Sequence, residues 1–166
     1  MAGNRKVRIG CLLTLCAGVT AFAQTTTSDR PPEAPQAAAQ TTMAAENSRL
    51  AQQFVNEKLA VWQQRLKLEH WHISVALAHR SELPPKTLGG IRWDKAKATA
   101  VIWVLDPSDY RLPVREMQDD MELTIVHELV HLDLASLPRG QASRSSEERA
   151  VNGIAQAMLR LDRQKD

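Results

Sequence analysis

Apolar residues recur at steps of three and four between residues 47 and 66, which marks one face of a helix. They are Leu50, Phe54, Val55, Leu59, Trp62 and Leu66. Asn47 precedes them and carries a side chain suited to accept a hydrogen bond from a free backbone N–H at the helix start. The pattern therefore predicts a helix that begins at Asn47 and lies across the core.

The spacing changes at Trp71, after which apolar residues at odd positions alternate with small or polar ones as far as residue 78. A period of two predicts a half-buried strand. Two more β-rich runs, over residues 88–93 and from Ala98 to Leu105, are joined by the short polar segment 94–97. This layout predicts a hairpin.

Two helices are predicted after the strands. Residues 114–136 have a helical composition, and the early acidic residues Glu116, Asp119 and Asp120 suit the positive end of a helix dipole. The last helix, over residues 146–161, has an apolar stripe. The stripe consists of Val151, Ile154, Ala155, Met158 and Leu161. The order helix, three strands, helix, helix predicts an α+β domain with a mainly antiparallel three-stranded sheet.

The first 23 residues have the three-part layout of a secretory signal peptide. Basic residues come first, an apolar run over residues 9–22 follows, and Ala21 and Ala23 frame the expected cleavage point after Ala23. The run of 14 residues is shorter than the ~20 that span a bilayer. We therefore expect export to the periplasm or the medium, with no stable membrane insertion after cleavage.

Residues 24–45 are rich in Thr, Pro, Ala and Gln and lack large apolar side chains, so we expect a flexible linker followed by one domain over residues 46–166. Both cysteines, Cys11 and Cys16, lie in the predicted signal peptide. The mature chain would then contain neither a disulfide nor a thiolate metal ligand.

The charge balance excludes one class of partner. The full chain has 21 basic and 19 acidic residues, and three of the basic ones (Arg5, Lys6 and Arg8) belong to the predicted signal peptide. The remainder has 21 − 3 = 18 basic against 19 acidic residues, a net charge of −1. A nucleic-acid-binding surface needs an excess of Lys and Arg, so we expect no nucleic-acid partner.

The candidate chemistry lies in the motif H-E-x-x-H at residues 127–131, inside a predicted helix. Residues four apart share a helix face, so His127 and His131 can bind one Zn²⁺. Glu128 stands beside them, where it can take a proton from a metal-activated water. The motif predicts a catalytic zinc site with Glu128 as general base.

A catalytic zinc usually has three protein ligands, so one more is needed. The residues after His131 lack the glycine and third histidine of the metzincins, which excludes that class. Glu147 and Glu148, 16 and 17 residues beyond His131, are the next candidates. Ser145 and Glu148 also form a capping-box pattern, which offers Glu148 a purely structural role.

With these segments the chain resembles the gluzincins, zinc peptidases whose third ligand is a glutamate on a downstream helix. It looks most like their minimal forms and the small SprT-like and ImmA/IrrE-like domains. Residues 148–155 read E-R-A-V-N-G-I-A, similar to the E-x-x-A-N-x-x-A of those families. The resemblance implies that Glu148 is the third ligand, that Asn152 hydrogen-bonds a zinc histidine, and that each chain binds one Zn²⁺.

The resemblance also implies a group that stabilises the oxyanion, and no motif supplies one. Tyr110, the only tyrosine, is the candidate. In the resembled families the last strand of the sheet binds the substrate backbone, which by position is the strand from Ala98 to Leu105. We therefore expect an extended polypeptide as substrate.

The function expected from the sequence is that of an exported zinc-dependent metallopeptidase. Two alternatives remain open at this point. One is a catalytically weak or inactive zinc-binding interaction domain with a peptidase-like fold. The other is a zinc amidase that acts on cell-wall peptide material.

Overall fold

The computed structural model describes residues 34–137 and 144–164. The predicted signal peptide, residues 1–23, and the first part of the predicted linker, residues 24–33, lie outside this range. Among the described helices, none combines the length and the apolar character that a membrane crossing requires.

The described chain is an α+β domain with the element order predicted from the sequence. The elements are α1 (Ala34–Arg65), β1 (His72–Ala78), β2 (Gly89–Asp94), β3 (Thr99–Leu105), α2 (Val114–Leu134) and α3 (Arg144–Arg163), with one short 3₁₀ turn (Pro107–Asp109) before α2. Helix α1 and helix α2 pack on the same sheet, and α3 packs on α2. The predicted fold class is confirmed.

Helix α1 begins at Ala34, well before the predicted N-cap Asn47. The linker predicted over residues 24–45 is therefore helical from residue 34 onward. The side chains of residues 39–47 are exposed, so this part of the helix has no apolar stripe from which it could be predicted. Its many alanines explain the helix, because alanine has the highest intrinsic helix propensity.

The sheet has the strand order β1-β3-β2. Strands β2 and β3 form the predicted antiparallel hairpin, whereas β1 pairs with β3 in parallel. The sheet is thus mixed, with one pair of each kind, rather than mainly antiparallel. Ile102 and Val104 of β3 have no exposed surface, as expected for a central strand.

This strand order corrects the expected substrate-binding strand. The strand from Ala98 to Leu105 was expected to bind the substrate backbone, which requires a free edge, but β3 is paired on both sides. Its backbone groups are therefore already used within the sheet. Strand β2 ends the strand order, so one of its edges is unpaired among the described strands, and β2 packs against α2.

One core joins the sheet and all three helices. Its fully buried residues include Val55 of α1, Ile102 of β3 and Val151 of α3. Helix α2 contributes the largest share, with Met121, Ile125, Val126, Leu129, Val130 and Leu132 all buried. Trp62 of α1 donates a hydrogen bond from Nε1 to the buried Glu122 of α2, 2.8 Å away. Helix α2 therefore packs against the sheet and against both other helices.

Candidate metal centre

His127 and His131 project from the same side of α2. The core residues Val126, Leu129 and Val130, which alternate with them along the helix, are buried and fix its rotation about its own axis. The two imidazole Nε2 atoms lie 3.1 Å apart. The sequence-predicted pair is thus brought together by local helix geometry.

Helix α3 runs antiparallel to α2, because its earlier residues contact the later residues of α2. This direction places Glu148 over the two histidines. Its Oε2 lies 3.3 Å from His127 Nε2 and 3.4 Å from His131 Nε2. The three side chains form the metal-compatible cluster found among the described residues.

The spacing of these three atoms fits a zinc ion. Ligands at 2.0–2.1 Å in a tetrahedral arrangement lie about 3.3 Å from one another. The three distances here are 3.1, 3.3 and 3.4 Å. Two imidazole nitrogens and one carboxylate oxygen are also a common donor set of a catalytic zinc, which leaves one position for water.

The outer nitrogens of both histidines face groups on α3. His127 Nδ1 lies 3.0 Å from the side-chain oxygen of Asn152, and His131 Nδ1 lies 3.5 Å from a carboxylate oxygen of Glu147. An amide oxygen accepts, so the bond to Asn152 requires the proton of His127 on Nδ1, whereas the contact of Glu147 with His131 is an ion-pair distance. With the proton of each imidazole on Nδ1, both Nε2 atoms would keep their lone pairs. Two lone pairs and a carboxylate oxygen then converge on one point, an arrangement that a cation stabilises.

The two glutamates therefore have different positions. Glu148 faces both Nε2 atoms, whereas Glu147 lies at the outer side of His131. Helix α3 already begins at Arg144, so Ser145 lies inside the helix rather than at its N-cap. Asn152 stands where the resemblance placed it, beside a histidine of the cluster.

Glu128 is buried, with only 8% of its surface exposed, and lies on the wall of the same cavity as the cluster. Burial, together with repulsion by Glu148, raises the pKa of Glu128 to about 7. Burial and the neighbouring His131 lower the pKa of His127. The lowered pKa of His127 favours the neutral imidazole, the form that binds metals.

The cluster opens into a cavity of about 1120 Å³. Helix α2 lies on one side, the first residues of α3 on another, and strand β2 forms a third wall through Gly89, Gly90, Ile91 and Trp93. The metal-compatible cluster, Glu128 and an edge strand thus share one open space.

Comparison with protein-family models, curated proteins and solved structures gives no match for this chain. Its chemistry is therefore inferred from its own residues.

Tyr110 does not reach this cavity. It is half-buried, and its hydroxyl donates to Asp120 Oδ2 at 2.9 Å. Asp120 precedes His127 by seven residues, about 10 Å along α2. Burial and the carboxylate of Asp120 raise the pKa of Tyr110 far above its usual value. Tyr110 thus joins a loop to α2 through Asp120, which itself lines the cavity, and its role as an oxyanion stabiliser stays a prediction.

The position of β2 in the cavity wall was not predicted from the sequence. Gly89 lies against Thr124 of α2 and against the backbone of Trp103, so closely that a Cβ atom there would overlap both. The glycine pair inside a β-rich run was the available signal, because glycine in a strand often marks such a close approach.

Proposed function

We propose that this protein is an exported zinc-dependent metallopeptidase. One observation carries the proposal: three acceptor atoms converge at zinc-like distances beside the buried carboxyl group of Glu128, in a cavity walled by a free strand edge. The proposal of export rests on the signal-peptide pattern of residues 1–23.

His127, His131 and Glu148 would hold the ion. Asn152 and Glu147 would fix the two imidazoles in the ligating tautomer. Zinc in such a site lowers the pKa of a water molecule and polarises a carbonyl group. Glu128 accepts the proton of the attacking water and delivers it to the leaving amine. A site with a purely structural metal has no need of such a base.

We propose that the substrate is an extended polypeptide that pairs with β2. In an antiparallel pair the backbone groups of alternate residues point toward the partner strand. Gly89 is opposite Val104, so the preceding residue Leu88 is opposite Leu105. The backbone N–H of Leu105 donates to the carbonyl of Leu88, which shows that the backbone groups of Leu88 point toward β3. The N–H and C=O groups of Gly89, Ile91 and Trp93 therefore point to the free edge, where they can pair with a peptide.

Ile91→Pro tests this docking surface, because it removes an outward N–H and no bond to β3. Proline is tolerated on an edge strand at such a position. We expect the KM for an extended peptide to rise about 10-fold, the cost of one lost hydrogen bond, with the zinc content unchanged. Ile91→Val keeps the N–H and serves as the control. Equal KM values for both variants would contradict docking on β2.

The proposal as a whole is tested on purified residues 24–166. We expect about one zinc per chain by elemental mass spectrometry, because the site has three ligands for one ion. We also expect hydrolysis of unfolded proteins that stops with a chelator and returns with zinc. Cell-wall peptide fragments in the same substrate panel separate a peptidase from an amidase. Absence of zinc after reconstitution would overturn the metal centre.

A zinc-binding interaction domain without turnover is the second candidate. The position of Tyr110 favours it, because the tyrosine bonds Asp120 and leaves the cavity without the expected oxyanion-stabilising hydroxyl. One zinc per chain without hydrolysis of any member of the panel would support this second function.

A further inference from the structure

Strand β2 contacts helix α2 at its first residue. A Cβ atom on Gly89 would overlap the Thr124 side chain and the backbone oxygen of Trp103. At Gly90, by contrast, a Cβ atom would meet nothing within 4 Å. The absence of a side chain at Gly89 thus allows this end of β2 to lie directly on α2, one turn before His127.

The other end of the strand is joined to α2 by Lys95, the first residue after β2. Its Nζ donates to the backbone oxygen of Ala135, the C-cap residue of α2. A cation is favoured there because the last carbonyl groups of a helix are unpaired and carry partial negative charge. The turn itself does not depend on Lys95, since Asp94 Oδ1 accepts from the backbone N–H groups of Ala96 and Lys97.

These two contacts lie on either side of the metal centre. Thr124 and Ala135 are 11 residues apart, about 16 Å along a helix, and Gly89 and Lys95 are six residues apart, about 20 Å along a strand. The similar lengths mean that β2 follows α2 past His127, Glu128 and His131. The outward backbone groups of β2 lie between the two contacts.

We propose that Lys95 is a positioning residue: its bond to the end of α2, together with the close approach of Gly89 at the other end, holds the free edge of β2 at a fixed distance from the His127/His131/Glu148 cluster. The inference rests on the proposed function, because a peptide paired with β2 reaches the metal centre only if that distance is kept. The contact of the Lys95 ammonium group is with the Ala135 carbonyl and not with His127, His131 or Glu148.

The test compares Lys95→Met with Lys97→Met. Lys97 belongs to the same turn, is largely exposed and pairs with Asp94, 3.4 Å away. For Lys95→Met we expect the KM for an extended peptide to rise about 10-fold, as for the loss of one charged hydrogen bond, with kcat changed less than about threefold. Lys97→Met is expected to behave as wild type, and Lys95→Arg, which keeps a cationic donor, is expected to restore most of the KM.

Amide hydrogen exchange supplies a readout that needs no turnover. In Lys95→Met we expect faster exchange at Gly90 and Arg92, whose N–H groups bond β3, and no change in Lys97→Met. If no peptide is cleaved by the wild type, the proposed function fails while the exchange data still test the role of Lys95. Lower thermal stability with unchanged KM and unchanged β2 exchange would overturn the inference.

The contact of Gly89 at the other end of β2 is tested with a second pair of variants. Gly89→Ala is expected to raise the KM and to speed the amide exchange of β2 in the same way, whereas Gly90→Ala has room for its methyl group and is expected to leave the exchange of β2 unchanged. Equal behaviour of two folded glycine variants would contradict the close contact. If Gly89→Ala does not fold, the comparison of Lys95→Met with Lys97→Met tests the inference by itself.

Discussion

Glu128→Gln is expected to lower kcat/KM for peptide hydrolysis by about 10²- to 10⁴-fold, the usual contribution of a general acid–base, and to leave about one zinc per chain. Glutamine has nearly the same shape as glutamate but cannot accept the proton of the attacking water. Zinc is retained because the carboxyl group of Glu128 is not among the three converging ligand atoms. The variant should therefore lose activity while its zinc content stays unchanged.

The matched control is Glu122→Gln. Glu122 lies on the same helix and is as buried as Glu128, but its Oε1 accepts from Trp62 and pairs with Lys58, away from the cavity. A glutamine oxygen can still accept from Trp62, so we expect wild-type kcat. Kinetics and elemental analysis of both variants check the prediction. Full hydrolysis by Glu128→Gln would remove its assignment as general base.

Glu148→Ala is expected to weaken zinc binding more than 100-fold, because one of three protein ligands is lost. Glu147→Ala is expected to weaken it about 10- to 100-fold, the usual effect of a group that only orients a ligand. The difference follows from the positions of the two carboxylates. Glu148 faces the Nε2 atoms of both histidines, and Glu147 faces the outer nitrogen of His131.

Competition with a chromogenic chelator measures both zinc affinities. Arg149→Ala is a suitable reference, because Arg149 lies next to Glu148 in sequence but bonds Ser146 on the exposed side of α3. We expect its affinity to equal that of the wild type. Stronger loss in Glu147→Ala than in Glu148→Ala would make Glu147 the ligand.

The sequence pattern predicted correctly those features that depend on residues close together in the chain. The hairpin of β2 and β3 follows from two β-rich runs and a four-residue polar connection, and the pairing of His127 with His131 follows from their spacing on one helix. The predicted start of α1 was wrong because it was placed where the apolar stripe begins. Residues 34–45 are helical because of the helix propensity of alanine, and their side chains are exposed from residue 39 onward.

Contacts between segments that are distant in sequence could not be predicted from the hydrophobic pattern. Residues 147 and 148 differ by one position, yet one step along a helix turns a side chain by about 100°, so only the packing of α3 on α2 decides which of them faces the histidines. Tyr110 was equally undetermined, because its partner Asp120 is set by the fold of the loop before α2.

The sequence by itself determined the kinds of elements, their order and the histidine pair with its neighbouring glutamate, because hydrophobic period and helical spacing are properties of neighbouring residues. Only the tertiary structure decided the parallel pairing of β1 with β3, the position of β2 at the end of the strand order and along the cavity wall, and which of Glu147 and Glu148 faces both histidine Nε2 atoms. These depend on which surfaces bury one another, and burial is decided by the whole core at once.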